Sequence, residues 1–149
     1  MRSHTLSTEE CVDFLQDRTF GQLACSYRDQ PYIVPIYFSF GSDWRRFYAF
    51  STVGQKIEWM RQNPAVCLAI DGITDRDRWT TVLVFGRYRE LRREPEHAEE
   101  RRVACGLLQK RPQWWLPAAG KVADYEHPDV VLYSIDAEKF SGRRAMRPV

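Results

Sequence analysis

The 149-residue sequence predicts a mainly β protein, an antiparallel barrel of about six strands with peripheral helices. Three observations carry this. Apolar segments of strand length follow one another, most are joined by tight polar turns, and the helical patterns flank them. No internal repeat or low-complexity linker divides the chain, and its length is most simply that of one domain, residues 1–149.

Ser7 to Arg18 opens with Ser7 and Glu10, a capping-box pair, and carries Cys11, Phe14 and Leu15 on one side, which predicts a short amphipathic helix. Phe20 to Tyr27 and Tyr32 to Phe40 read as two strands of a hairpin, with Arg28, Asp29, Gln30 and Pro31 as the turn. Pro35 removes a ladder donor from the second strand. It therefore belongs at an edge, at a bulge or against a ligand. Gly41, Ser42 and Asp43 turn the chain, and Trp44 to Phe50 returns as the third strand.

Beyond a helix that stops at Asn63 and Pro64, Ala65 to Ile70 is an apolar run of strand length. Asp71 to Arg78 reads as a polar loop, and Trp79 to Leu91 as a long strand. Gly86 near its middle implies a bulge or a close backbone approach. Pro95 to Arg111 is a helix with proline in its first turn, acids early and bases late, the charge order that suits its dipole. Pro112 to Pro128 is irregular and fits a covering loop. Asp129 to Asp136 is the last strand, and Phe140 to Val149 reads as a basic tail.

Twenty-two basic and twenty acidic residues leave a net charge of +2, which gives no reason to expect nucleic acid as a partner. No apolar run approaches the roughly 18 residues of a membrane span, and MRSHTLSTEE lacks the apolar core of a signal peptide. The expectation is a cytoplasmic protein with no membrane partner. Cys11, Cys25, Cys67 and Cys105 form no CxxC pair, and His4, His97 and His127 stand in no ligand spacing. Free thiols and no metal site are expected.

The stretch RFYAFSTVGQKIEWMR, Arg46 to Arg61, carries the first functional signal. An apolar strand breaks at Ser51 and Thr52, and Thr52 with Gln55 fits a capping box at the start of a helix whose Val53, Ile57 and Met60 share one face. Lys56 lies beside that face and leans back over the first turn. A helix start with a lysine above it suits a phosphate, because free N–H groups, the helix dipole and a mobile cation all favour an anion there. The same arrangement also occurs in domains that bind nothing.

Taken in order, PYIVPIYFSF, FYAFSTVGQKIEWMRQNPAVCLAI and WTTVLVFGRYREL resemble the FMN-binding split-barrel superfamily related to pyridoxamine 5'-phosphate oxidase. The nitroimidazole-resistance-protein-like branch looks closest. The likeness runs from about Leu15 to Leu91, with a weaker echo in the last strand and the FSGRRA tail. It implies a six-stranded antiparallel split β-barrel that works as a homodimer, with FMN sites between subunits. By position, Val34, Pro35 and Ile36 would lie along the flavin ring, Ala49, Phe50, Ser51 and Thr52 along the ribityl chain and phosphate, Lys56 on the phosphate, and Thr81 and Val82 near the ring. In relatives the Gly-Arg segment that Arg143 matches approaches the active-site groove.

Three positions depart from the family's pattern. Gln55 stands where the oxidase has a phosphate-binding arginine, Thr81 where it has a glutamine, and Phe50 where nitroimidazole-resistance proteins show a histidine. The resemblance thus implies a flavoprotein passing electrons or hydride to a small organic acceptor, with the flavin carrying the chemistry and no catalytic side chain named. Two alternatives stay open: a non-catalytic module holding flavin, deazaflavin F420 or haem, and an interaction dimer without ligand. Trp79, Trp114 and Trp115 are read as core or interface aromatics.

Overall fold

A computed structural model describes residues 2–110 and 127–147. Eight strands and three α-helices follow in the order β1 (Arg2–Leu6), α1 (Thr8–Leu15), β2 (Phe20–Tyr27), β3 (Gln30–Tyr37), β4 (Ser39–Phe40), β5 (Arg46–Thr52), α2 (Gln55–Gln62), β6 (Ala65–Asp75), β7 (Arg78–Glu90), α3 (Ala98–Gln109) and β8 (Val130–Met146). Every strand pairing is antiparallel, in the order β3-β2-β6-β7-β8-β5-β4, with β1 added along β8.

The two ends of that order, β3 and β4, are consecutive in the chain. At Phe38, whose N–H bonds the carbonyl of Thr19 at 2.9 Å, the chain leaves β2 and turns to pair with β5. Counting β3 and β4 as two halves of one strand, six strands close a split barrel, which agrees with the sequence expectation. Pro35 falls on β3, an end strand of the ladder, where a missing N–H is tolerated. The β2–β3 hairpin closes on Arg28 and Asp29, both at positive φ (51° and 63°), the geometry of a two-residue turn with the twist that strands require.

The barrel interior is filled from all sides. Leu23, Ile36, Phe38, Phe47, Ala49, Leu68, Ile70, Val82, Val84, Tyr133 and Ile135 are buried in one cluster. The two smaller helices close it: α1 contributes Cys11 and Leu15, and α2 contributes Ile57 and Met60. The capping box expected for α1 is formed, with Ser7 Oγ accepting from the Glu10 N–H and Glu10 Oε1 accepting from the Ser7 N–H. A second cluster of Tyr48, Leu91, Ala104, Leu108 and Leu132 lies under α3 on the outer side of β5 and β8. β5 is therefore covered on both faces, which is why its sequence reads as a continuous apolar run.

Several expectations are corrected. Thr52 is the last residue of β5 and not a cap: α2 begins at Gln55, its N-cap is Gly54, and no side chain bonds its first N–H groups. Val53 is exposed and lies outside the helix. The loop expected over Asp71 to Arg78 is mostly strand, since β6 continues to Asp75 and β7 starts at Arg78. Phe140 to Met146 is not a tail but the far half of β8, paired with β7 and β1. β1 has no counterpart among the expected strands. Gly86 does sit at a register shift against β8, and a Cβ there would lie 2.6 Å from the Asp136 carbonyl oxygen. Almost all of the Pro112 to Pro128 segment lies outside the described residues.

Among the described residues no helix is long and apolar enough to cross a membrane. All four cysteines are free thiols, Cys11 and Cys25 buried, Cys67 and Cys105 partly so.

Candidate functional site

Strand β5 ends at Thr52 and α2 starts three residues later at Gln55, so Ser51, Thr52 and Lys56 share one junction. Ser51 Oγ donates to the Thr52 carbonyl at 2.8 Å, and Thr52 is exposed. Lys56, half-buried in the first turn of α2, has no hydrogen bond or ion pair among the described residues. Burial pulls its ammonium below the usual lysine range, and the neighbouring Cys25 thiol acts the other way. Burial in turn pushes the Cys25 thiol up, against the pull of Lys56.

A half-buried cation without a counter-ion is uncommon, because burial of charge is costly unless it is paired. Here it belongs to the first turn of a helix whose first N–H groups have no side-chain cap. Both features fit a phosphate, so the residues present suit a phosphate-bearing cofactor. Deeper in, the fully buried hydroxyl of Tyr133 has no hydrogen-bond partner among the described residues, and its ring lies 5.4 Å from that of Tyr88. Burial raises the Tyr133 phenol and makes it a poor acid.

The other expected residues are spread over the barrel. Val34 and Ile36 pair with Leu23 and Gly21 and turn toward the interior, whereas Pro35 faces outward opposite Gln22. Ile36, Ala49 and Val82 are buried, at 5%, 1% and 0% exposure, and present almost no surface to a ligand within one chain. Phe50 packs partly buried beneath α3. Thr81 lies on the outer face of β7, where its hydroxyl donates to Asp71 at 2.6 Å and Arg143 of β8 stands directly opposite. β7 is separated from β3 by two strands, and Pro35 is in register with Leu83 and not with Thr81, so the two residues do not meet within one chain. Of the five cavities described, none is lined by any of these ten residues.

That outer face is unusually apolar. Register places Ile33, Ala24, Cys67 and Phe85 in one row across β3, β2, β6 and β7. Ile33 is 67% exposed and Phe85 41%, and Phe20 at the start of β2 is 43% exposed. Sequence reasoning did not select this row. The alternation along each strand contains it, but the order in which strands pair was needed to see it.

The family described as pyridoxamine 5'-phosphate oxidase matches residues 7–144. An uncharacterized protein of Rhizobium meliloti (strain 1021) is 38% identical over 143 residues, which span 94% of this chain and 93% of that one. A solved FAD-binding protein of Mesorhizobium loti is also 38% identical, with a TM-score of 0.82 over 97% of this chain and 99% of its own. At 16% identity, a candidate 5-nitroimidazole antibiotic resistance protein of Bacteroides thetaiotaomicron shares the fold, with a TM-score of 0.67 over 97% of this chain and 89% of that one. The chain belongs to the pyridoxamine 5'-phosphate oxidase family, as its sequence blocks implied.

Proposed function

We propose that this protein binds a flavin nucleotide as a homodimer and passes electrons or hydride from a reduced donor to a small organic acceptor. The observation that carries the reading is the half-buried Lys56, without a hydrogen bond or ion pair among the described residues, in the uncapped first turn of α2. Flavin supplies redox chemistry through a ring that accepts a hydride or single electrons, and the protein's part is to hold and shield it. Lys56 and the α2 N–H groups take the phosphate, Ser51 and Thr52 follow the chain that leads from it, and the backbone at Val34, Pro35 and Ile36 borders the ring.

Two copies are part of the proposal because the expected residues line no cavity within one chain, and the apolar row from Ile33 to Phe85 adjoins Pro35. A second chain on that face covers the row and brings Thr81 and Arg143 toward a ring on Pro35. FMN is the form that a single lysine suits, having one phosphate. The FAD-binding relative at 38% identity favours FAD as a second reading, with the same end of the molecule on Lys56.

The test is the absorbance spectrum of the purified protein with the mass of whatever denaturation releases. Released FMN or FAD decides between the two forms. Lys56→Ala is expected to weaken flavin retention at least tenfold in a fluorescence titration, since the charge-assisted contact is lost. A colourless wild-type protein that also refuses added FMN and FAD overturns the reading.

A further inference from the structure

Far from α2, at the end of the barrel where the β6–β7 hairpin meets β8, lies a cavity of about 400 Å³. Three arginines line it, Arg18, Arg78 and Arg144, and no acidic residue does. Two are held in place. The Arg18 guanidinium stacks 4.4 Å from the ring centre of Phe14, and Gly72 leaves it room, for a Cβ there would come within 2.9 Å of its Nη2. Arg144 Nε donates to Thr80 Oγ1 at 3.0 Å, which leaves its other guanidinium nitrogens free of any bond among the described residues.

Counter-charge is sparse. Arg18 meets Asp17 at 3.7 Å and Arg78 meets Asp75 at 3.9 Å, both long contacts that hold charge weakly, and Glu10 acts on Arg144 only through its field. The buried Nε of Arg18 has no hydrogen-bond acceptor among the described residues. Phe14, Ile73, Trp79 and Met146 add apolar lining. The volume falls in the range of small-molecule sites, and guanidinium forks match the planar oxygens of carboxylate and phosphate.

We propose that this cavity binds a one-ring aromatic oxyanion, an aryl phosphate or aryl carboxylate, with the anion among Arg18, Arg78 and Arg144 and the ring against Trp79. The inference is independent of the flavin, which the preceding reading puts at the α2 start and along β3.

Isothermal titration of the full chain with phenyl phosphate, benzoate, inorganic phosphate and phenol tests it. One saturable site per chain is expected for phenyl phosphate or benzoate, and whichever is tighter names the anion. Inorganic phosphate should bind at least tenfold more weakly, and phenol not measurably. In the double variant Arg78→Gln/Arg144→Gln, shown folded by circular dichroism, affinity should fall at least tenfold, while the surface control Lys139→Gln leaves it unchanged. Lys56→Ala should also leave it unchanged. Loss of binding in Lys56→Ala puts the anion at the helix start and overturns the cavity. So does binding that the double variant retains, equal binding of phenol, or no binding of either aryl anion. A colourless protein that still binds phenyl phosphate through Arg78 and Arg144 would reject the flavin and keep this site.

Discussion

Gly86 and Gly106 are both glycines in regular elements, and their surroundings give them opposite values. At Gly86 a methyl group meets the backbone of Asp136, which cannot swing away as a side-chain end would. Gly86→Ala should therefore destabilise by about 1–3 kcal/mol, the usual cost of overpacking. Gly106 lies inside α3, and nothing stands within 4 Å of the place its methyl group would take, so its main effect is the backbone freedom it adds to the unfolded chain. Gly106→Ala should stabilise by about 0.5–1 kcal/mol. Chemical denaturation of the two variants beside the wild type reads both signs, and a neutral Gly86→Ala would mean that the bulge can re-form without a glycine.

At the scale of elements, α3 is fastened to the barrel by charge as well as by Leu108 and Ala104. Glu100 accepts from Arg89 and lies 3.4 Å from Arg46 Nη1, and Arg89 Nε also bonds Asp136 at 3.0 Å. The Arg89 hydrogen bond holds the Glu100 carboxyl below its ordinary range, while burial opposes it. A carboxylate whose folded pKa is depressed adds stability above its unfolded pKa, about 4.3, and loses it as pH falls through the lower folded value. Stability should thus decline from about pH 4.5 downward, and Glu100→Gln should flatten that part of the profile. Thermal unfolding across pH 3 to 7 measures it. An unchanged acid limb would remove Glu100 from the account.

The same scale shows what the sequence could tell. Helix α1 was legible to its cap because Ser7, Glu10, Cys11 and Leu15 are all local signals. Strands β2, β3, β5 and β7 were legible from apolar runs and from Gly86. β1 was not, because in Arg2–Leu6 only Leu6 is buried and the strand exists by pairing with β8 about 140 positions away. The outer half of β6 and the far half of β8 were missed for a related reason. They are polar on their exposed faces and are held by ladder hydrogen bonds, which leave no hydrophobic period. Thr52 misled because a Thr-x-x-Gln pattern states what a cap could be made of, not where the chain turns. At the candidate site the strand-to-helix junction that holds Ser51, Thr52 and Lys56 was legible. The cavity of Arg18, Arg78 and Arg144 was not, since its three arginines come from three separate parts of the chain.

For the molecule as a whole, the apolar row from Ile33 to Phe85 is the face on which the proposed dimer would form. On the proposed dimer, Ile33→Asp with Phe85→Asp puts two charges into a covered surface and should give a monomer by light scattering. Flavin retention should fall with it, although Lys56 is untouched. A double variant that remains dimeric would put the contact elsewhere on the barrel.

Strand β8 pairs with β5 along residues 130–136, with β7 along residues 133–145 and with β1 along residues 142–146. Each of those partners is synthesised before it. On the ribosome, β5 and β7 must therefore wait as open edges, with Phe47, Tyr48 and Val84 already exposed for burial, until about 80 further residues beyond β5 have been made. Such waiting edges are where nascent chains aggregate or recruit chaperones. The protein's yield in a cell should then depend on how fast its last quarter is translated more than on how stable the finished barrel is.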